Sequence, residues 1–367
     1  MRLPDYLQQQ IGADTQYLQV AGSFVLENGE SIDDIVVAYR TWGALDKAKS
    51  NAILICHALT GSADVDAWWP GIIGTGKAFD PQHDYIICAN ILGSCYGSTG
   101  PATMRPGGRE RYRADFPSIS IRDMVRLQRL LLDRLGVQQI ELAIGPSLGG
   151  MQALEWALCY PDRVAAVMPI GIGGRHSAWC IGASEAQRAA IAADPDWNNG
   201  YYSDAARPER GLAAARMMAV CLYRSWLSFD QRFGRERGTS GAYEVQSYLR
   251  HQGERINQRF DANTYVTLTH AMHSYDLSRG RGDYAAVLGS IEQPALVVSV
   301  STDALYPPAE QQALARQLAN GRYAVLDSAH GHDGFLIETD ALAKLIAAFR
   351  RQLKAEKSLR LVSAGGE

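Results

Sequence analysis

The sequence has no excess of basic residues. Its 36 Lys and Arg face 39 Asp and Glu, a formal net charge of −3. A nucleic-acid partner requires cations that displace phosphate counterions, so none is expected. No run of 18 apolar residues occurs, and no membrane span is expected. The opening residues, MRLPDYLQQQ, carry no apolar signal region. Export would need a signal peptide absent from these residues, so the expected location is the cytoplasm, with reduced thiols. There is no Cys-x-x-Cys, no His-Glu-x-x-His and no other metal spacing, so neither a bound metal nor a redox pair is expected. The six cysteines are Cys56, Cys88, Cys95, Cys159, Cys180 and Cys221. Cys56, Cys88, Cys159 and Cys221 lie in apolar or helix-like runs and read as small core residues. Internal repeats are also lacking.

What is present is a globular composition, 47% hydrophobic and 20% charged, over 367 residues. That length predicts one large domain with an insertion, or two domains. Short apolar runs rich in Ile and Val recur at Ala52–Cys56, Tyr85–Ala89, Ile140–Ile144, Val164–Ile170, Leu296–Val300 and Tyr323–Leu326. They read as buried strands. Helix patterns lie between them. Ser120 to Leu135 opens with Ser120 and Asp123, a capping-box spacing, and Gly136 follows its end. Gly149 to Tyr160 is stopped by Pro161, and Asp340 to Leu353 reads as the last helix. Strands alternating with helices predict a mostly parallel sheet covered on both faces. Between about 175 and 284 the strand signals fade. Helical stretches such as Glu185–Ala193, Gly211–Leu222 and Tyr243–Gln252 dominate there. The expected layout is a core of residues 1–174 and 285–354, with 175–284 as a helical cap inserted into it. A separate second domain is the alternative. Residues 355–367 are expected to be a flexible tail.

The strongest chemical signal is Gly145-Pro146-Ser147-Leu148-Gly149. This G-x-S-x-G follows an apolar run and precedes a helix, the setting of a nucleophile elbow. Such a turn needs small flanking residues and lifts the serine hydroxyl to a helix N-terminus. A serine is a weak nucleophile without a base. The order Ser, acid, His predicts an α/β-hydrolase fold. His332, after the last strand, is the preferred base, with His330 its neighbour and rival. Asp303, where the Leu296–Val300 strand ends, is the preferred acid, with Asp327 the alternative. The backbone N–H groups of Leu148 and of Leu59, in His57-Ala58-Leu59-Thr60-Gly61, would receive the developing oxyanion. Gly71 to Ala78 satisfies G-x-x-x-x-G-K. However, Ala78 replaces the Ser or Thr that would hold magnesium, and no strand leads in.

With these residues in place, the chain resembles the homoserine O-acyltransferases of the α/β-hydrolase fold. The resemblance runs through His57–Gly61, Trp68-Trp69, Leu92–Cys95, Gly97–Pro101, Ser147–Trp156 and Gly331-His332-Asp333. It continues in the insertion through Ala215-Arg216-Met217, Tyr223-Arg224-Ser225, Phe233–Arg235, Glu244–Leu249 and Arg259–Tyr265. It departs at Pro146, commonly Gly in the family, and at Gly334, often Ala. Neither change removes a reacting group. The resemblance implies a ping-pong transfer from acyl-CoA to L-homoserine for methionine synthesis, with no bound cofactor and acyl-CoA as co-substrate. It implies Arg216 on the acceptor carboxylate, Tyr223 beside it and Asp333 on the ammonium. It also suggests a homodimer through the cap. Succinyl transfer would require a cation for the distal carboxylate. None is evident in sequence, and Asp64 and Asp66 lean the expectation towards acetyl. Serine as acceptor, ester hydrolysis with the same triad and a non-catalytic binding protein remain as alternatives.

Overall fold

The structure, a computed structural model, describes residues 3–364. Its centre is one sheet of eight strands: β1 (Gln16–Val25), β2 (Ser31–Trp42), β3 (Ala52–Ile55), β4 (Tyr85–Ala89), β5 (Ile140–Pro146), β6 (Val167–Ile170), β7 (Ala295–Val300) and β8 (Gly321–Leu326). Their spatial order is β1-β2-β4-β3-β5-β6-β7-β8. All pairings from β4 to β8 are parallel, while β2 runs antiparallel to both β1 and β4.

The parallel strands are the six apolar runs. β3, β6 and β7 are buried at every residue. Alternate side chains enter opposite cores: Leu54, Ala143 and Val297 on one face, Ile53, Ile144 and Val298 on the other. Each fully buried Val, Ile or Leu contributes on the order of 2 kcal/mol. β1 has no apolar run and is exposed at most positions, as an edge strand with a solvated face permits. β2 does hold an apolar run, Ile35–Tyr39, largely buried, which the sequence reading passed over.

Ser120 and Asp123 form the expected capping box on the Ile121–Arg134 helix. The last helix runs from Thr339 to Ala364, past the expected end at Leu353. Residues 355–364 are therefore helical rather than a flexible tail; only 365–367 of that tail lie outside the described residues. The stretch is rich in Ala, Glu, Lys, Leu and Arg, and helix propensity suffices without an apolar stripe. Arg322 on β8 holds Glu356 at 2.5 Å.

Between β6 and β7 the chain forms the helices Ala178–Ala192, Glu209–Tyr223, Trp226–Phe233, Glu244–Arg259 and Ala262–His273, with no strand. Ser177, Ser225 and Asp261 cap three of them through their side chains. Buried Glu155, on the helix after β5, takes Arg122 at 3.3 Å and Arg281, late in this segment, at 2.7 Å. Two cysteines depart from expectation. Cys56 and Cys88 are buried, but Cys159 is half-buried and Cys221 exposed. A helix-like run places a residue on a helix without saying which face it takes.

Candidate active site

Ser147 stands between β5 and the helix Leu148–Cys159, with φ 53° and ψ −125°. A non-glycine residue in that region is strained, and neighbours must impose it. They do so by close approach. A Cβ on Gly149 would lie 1.9 Å from the Cys56 carbonyl oxygen, and one on Gly145 would lie 2.4 Å from the Gly149 carbonyl carbon. The elbow is thus wedged against the end of β3. Pro146 is tolerated as the last residue of β5, and the next N–H, of Ser147, donates to the Ile170 carbonyl at 2.8 Å.

The loop after β3 is held from two sides. His57 is fully buried; its Nδ1 donates to the Ala58 carbonyl at 2.8 Å and its Nε2 accepts from the Ile91 N–H at 3.2 Å. Burial pushes its pKa down to about 4, which keeps the ring neutral in this role. Arg259 donates to the Thr60 carbonyl and the Tyr96 hydroxyl, each at 2.8 Å. Leu59 lies between these anchors and lines the same cleft as Ser147. Sequence reading gave His57 no side-chain role and placed Arg259 in a matching motif without a role. Only the ring's burial and the fold's juxtaposition reveal them.

His332 Nδ1 meets Asp303 Oδ2 at 2.7 Å, with both side chains buried. The other carboxylate oxygen accepts the N–H groups of Leu305 and Tyr306, each at 2.9 Å. Burial weakens the imidazole as a base. The Asp303 charge and hydrogen bond, with Asp333, more than offset this, so its pKa lies above the ordinary 6.5. Nε2, on the opposite edge of the ring, is buried without a hydrogen-bond partner. Such a buried acceptor is costly unless a substrate or nucleophile uses it. No direct hydrogen bond joins it to Ser147, which is common before substrate draws such groups together. Tyr306 and Phe335 flank the ring at 5.3 Å, and Gly171, with φ 64°, leaves space where a Cβ would sit 3.1 Å from it. The rivals are occupied elsewhere. His330 bonds Ser228 at 3.1 Å, and Asp327 bonds Ser301 at 2.9 Å.

Ser147 and His332 line a cleft of about 500 Å³ together with Arg216, Tyr223 and Asp333. Arg216 lies over the Tyr223 ring at 5.7 Å and forms no ion pair among the described residues. Asp333 has a partner that sequence reading did not assign: Arg224 Nε lies 3.1 Å from its carboxylate. Burial pushes the Asp333 carboxyl up, while Arg224, Arg216 and His332 draw it back. Arg40 holds Asp64 and Asp66 at 2.9 and 2.6 Å and Asp14 at 3.2 Å, so one cation faces three carboxylates and the cluster stays net negative. One premise about the acyl group needs correction: besides Arg216, two further cations, Arg255 and Arg259, line the cleft. The glycine-rich Gly71–Ala78 segment follows no strand, and Lys77 bonds the Pro70 carbonyl within its own loop.

A strained serine between a parallel strand and a helix, with an Asp–His pair on the loops after β7 and β8, defines an α/β hydrolase. The family model described as alpha/beta hydrolase fold matches residues 51–339, and the chain belongs to that family. Within it the relatives are narrower. The chain is 55% identical over 330 residues to the homoserine O-acetyltransferase of Chlorobaculum parvum, covering 90% of this chain and 93% of that one. The crystal structure of homoserine O-acetyltransferase from Staphylococcus aureus matches with a TM-score of 0.75 and 28% identity, over 91% of this chain and 94% of that one. That of esterase E22 matches with a TM-score of 0.84 and 29% identity, over 92% and 99%. The chain is a member of the homoserine O-acetyltransferase family.

Proposed function

We propose that this chain transfers the acetyl group of acetyl-CoA to the hydroxyl of L-homoserine, a step of methionine biosynthesis. The observation that carries the reading is the pairing, in one cleft, of an Asp303–His332 couple with an open Nε2 and an arginine, Arg216, free to hold a carboxylate.

Ser147 Oγ attacks the thioester carbonyl carbon while His332 Nε2 takes its proton. The N–H groups of Leu59 and Leu148 receive the oxyanion. The carbon–sulfur bond breaks, and the CoA thiolate takes the proton from His332. The homoserine hydroxyl then gives its proton to Nε2 and attacks the acyl carbon. Ser147 leaves and regains the proton. Arg216 holds the acceptor carboxylate by a two-pronged hydrogen bond, Tyr223 shapes that corner, and Asp333 faces the ammonium while paired to Arg224. The segment 175–284 serves as a cap that supplies Arg216 and Tyr223. The acetyl donor is favoured by the names of the relatives.

CoA-thiol release from acetyl-CoA, measured with and without L-homoserine and repeated with succinyl-CoA and with L-serine, tests the reading. Strong stimulation by homoserine with acetyl-CoA is expected. Release indifferent to any amino acid would instead assign hydrolysis, the activity that esterase E22 is named for.

The proposed site of action is the cytoplasm. The proposed assembly is a homodimer through the insert, where Trp226 is 77% exposed beside exposed Leu227, with Met218 and Cys221 exposed on the preceding helix. These exposed apolar residues support the reading, since burying them against a second copy would remove them from water. Light scattering at micromolar concentration should give a dimer, and Trp226→Glu should give a monomer. A wild-type monomer would contradict the assembly.

A further inference from the structure

The cleft holds more positive charge than the proposed chemistry uses. Three arginines line it: Arg216, Arg255 and Arg259. The two carboxylates that line it are already taken, Asp64 by Arg40 at 2.9 Å and Asp333 by Arg224 at 3.1 Å. Arg216 is assigned to the acceptor. Arg259 is fastened to Thr60 and Tyr96. Arg255 remains, with no hydrogen bond and no ion pair among the described residues.

Its position follows from the helix that carries it. Arg255 and Arg259 are four residues apart on Glu244–Arg259, so they share a face with an axial offset of about 6 Å. Arg259 is half-buried at the oxyanion loop, whereas Arg255 is exposed, as is His251 a further turn along the same face. Exposure therefore rises from the reacting end of the cleft to its mouth, and Arg255 stands at the mouth. An acyl-CoA has its thioester at one end and its phosphates at the other. Neither the acetyl group nor homoserine carries a group that would use a cation there. A free guanidinium suits a phosphate, which it can meet with two parallel hydrogen bonds.

We infer that Arg255 binds a phosphate of the acyl donor and so selects a nucleotide-bearing thioester over a simple one. The inference rests on acyl-CoA being the donor. The test compares acetyl-CoA with S-acetylpantetheine, which has the same thioester and arm but no phosphate. In Arg255→Ala the ratio of kcat/KM for acetyl-CoA to that for S-acetylpantetheine should fall about five- to tenfold, through KM for acetyl-CoA. Arg255→Lys, which keeps the charge, should recover much of it. Raising the ionic strength should raise the wild-type KM for acetyl-CoA and change that of Arg255→Ala less. Binding of desulfo-CoA, read by calorimetry, should weaken by a similar factor. An unchanged donor ratio, or equal losses on both donors, would overturn the assignment. So would a loss confined to succinyl-CoA, which would place the arginine on a distal carboxylate. All arms can be read from acylation without acceptor. A failure of homoserine to stimulate release would therefore refute the transferase reading separately, leaving the donor ratio to decide this one.

Discussion

Asp303→Asn removes a charge and almost no volume, and the structure dictates how the new amide must sit. Oδ1 of Asp303 accepts the N–H groups of Leu305 and Tyr306, each at 2.9 Å. An NH2 group cannot replace it there, so the amide oxygen must. The amide NH2 then faces His332 Nδ1, where Oδ2 now lies at 2.7 Å. Nδ1 becomes an acceptor and the ring proton moves to Nε2. The base loses the lone pair that would take the Ser147 proton. In serine triads this exchange costs on the order of 10⁴ in rate, or about 5.5 kcal/mol of barrier. The same scale is expected here, since the imidazole has no second orienting partner. The assay is CoA-thiol release under saturating acetyl-CoA and L-homoserine, with thermal melting to show that the fold is retained. Asp327→Asn is the control and should stay near wild type, because Asp327 bonds Ser301 instead. Activity of Asp303→Asn within tenfold of wild type would refute the reasoning.

The remaining expectations follow from the same geometry. Arg216→Ala should raise the KM for homoserine on the order of 30-fold, a loss of about 2 kcal/mol, while sparing acylation by acetyl-CoA; equal loss in both half-reactions would remove the arginine from the acceptor. Arg259→Ala frees the Thr60 carbonyl and should lower kcat roughly 10- to 100-fold with every acyl donor, as for a weakened oxyanion site, and a change confined to KM would contradict this. Gly149→Ala forces a methyl against the Cys56 carbonyl and should cost roughly 3 kcal/mol, seen as a lower urea midpoint at constant m-value. His332 must be neutral to act as base and its pKa is raised, so kcat/KM should fall with acidification through an inflection above 6.5; an inflection below that value would show that Asp303 does not hold the proton.

The geometry of this candidate site was legible in sequence to the extent that it rests on local signals. The elbow is five contiguous residues whose glycines are required by backbone contact. Asp303 and His332 follow the ends of β7 and β8, whose apolar runs are plain. The parallel strands were legible for the same reason, because burial on both faces demands continuous apolar residues. What escaped depends on distant parts of the chain meeting. β1 is an edge strand, largely exposed, with no apolar run to betray it, whereas the Ile35–Tyr39 run of β2 was a signal passed over. The pairing of Arg224 with Asp333 joins positions 109 residues apart, that is 333 − 224. Arg259 reaches Thr60 across 199 residues. The bonds from Arg40 to Asp64 and Asp66 span 24 and 26 residues and leave no local signal. The helical ending of the chain was missed because a polar helix lacks an apolar stripe, although its residues favour the helix.

The measurement closest to the central claim is the mass of the enzyme itself. Intact-mass spectrometry after brief mixing with acetyl-CoA, without acceptor, should show one acetyl group, mapped by peptide digestion to Ser147. Addition of L-homoserine should discharge it and yield O-acetyl-homoserine, and Ser147→Ala should never acquire it. An acetyl group on another residue, or product formed at full rate by Ser147→Ala, would contradict the account.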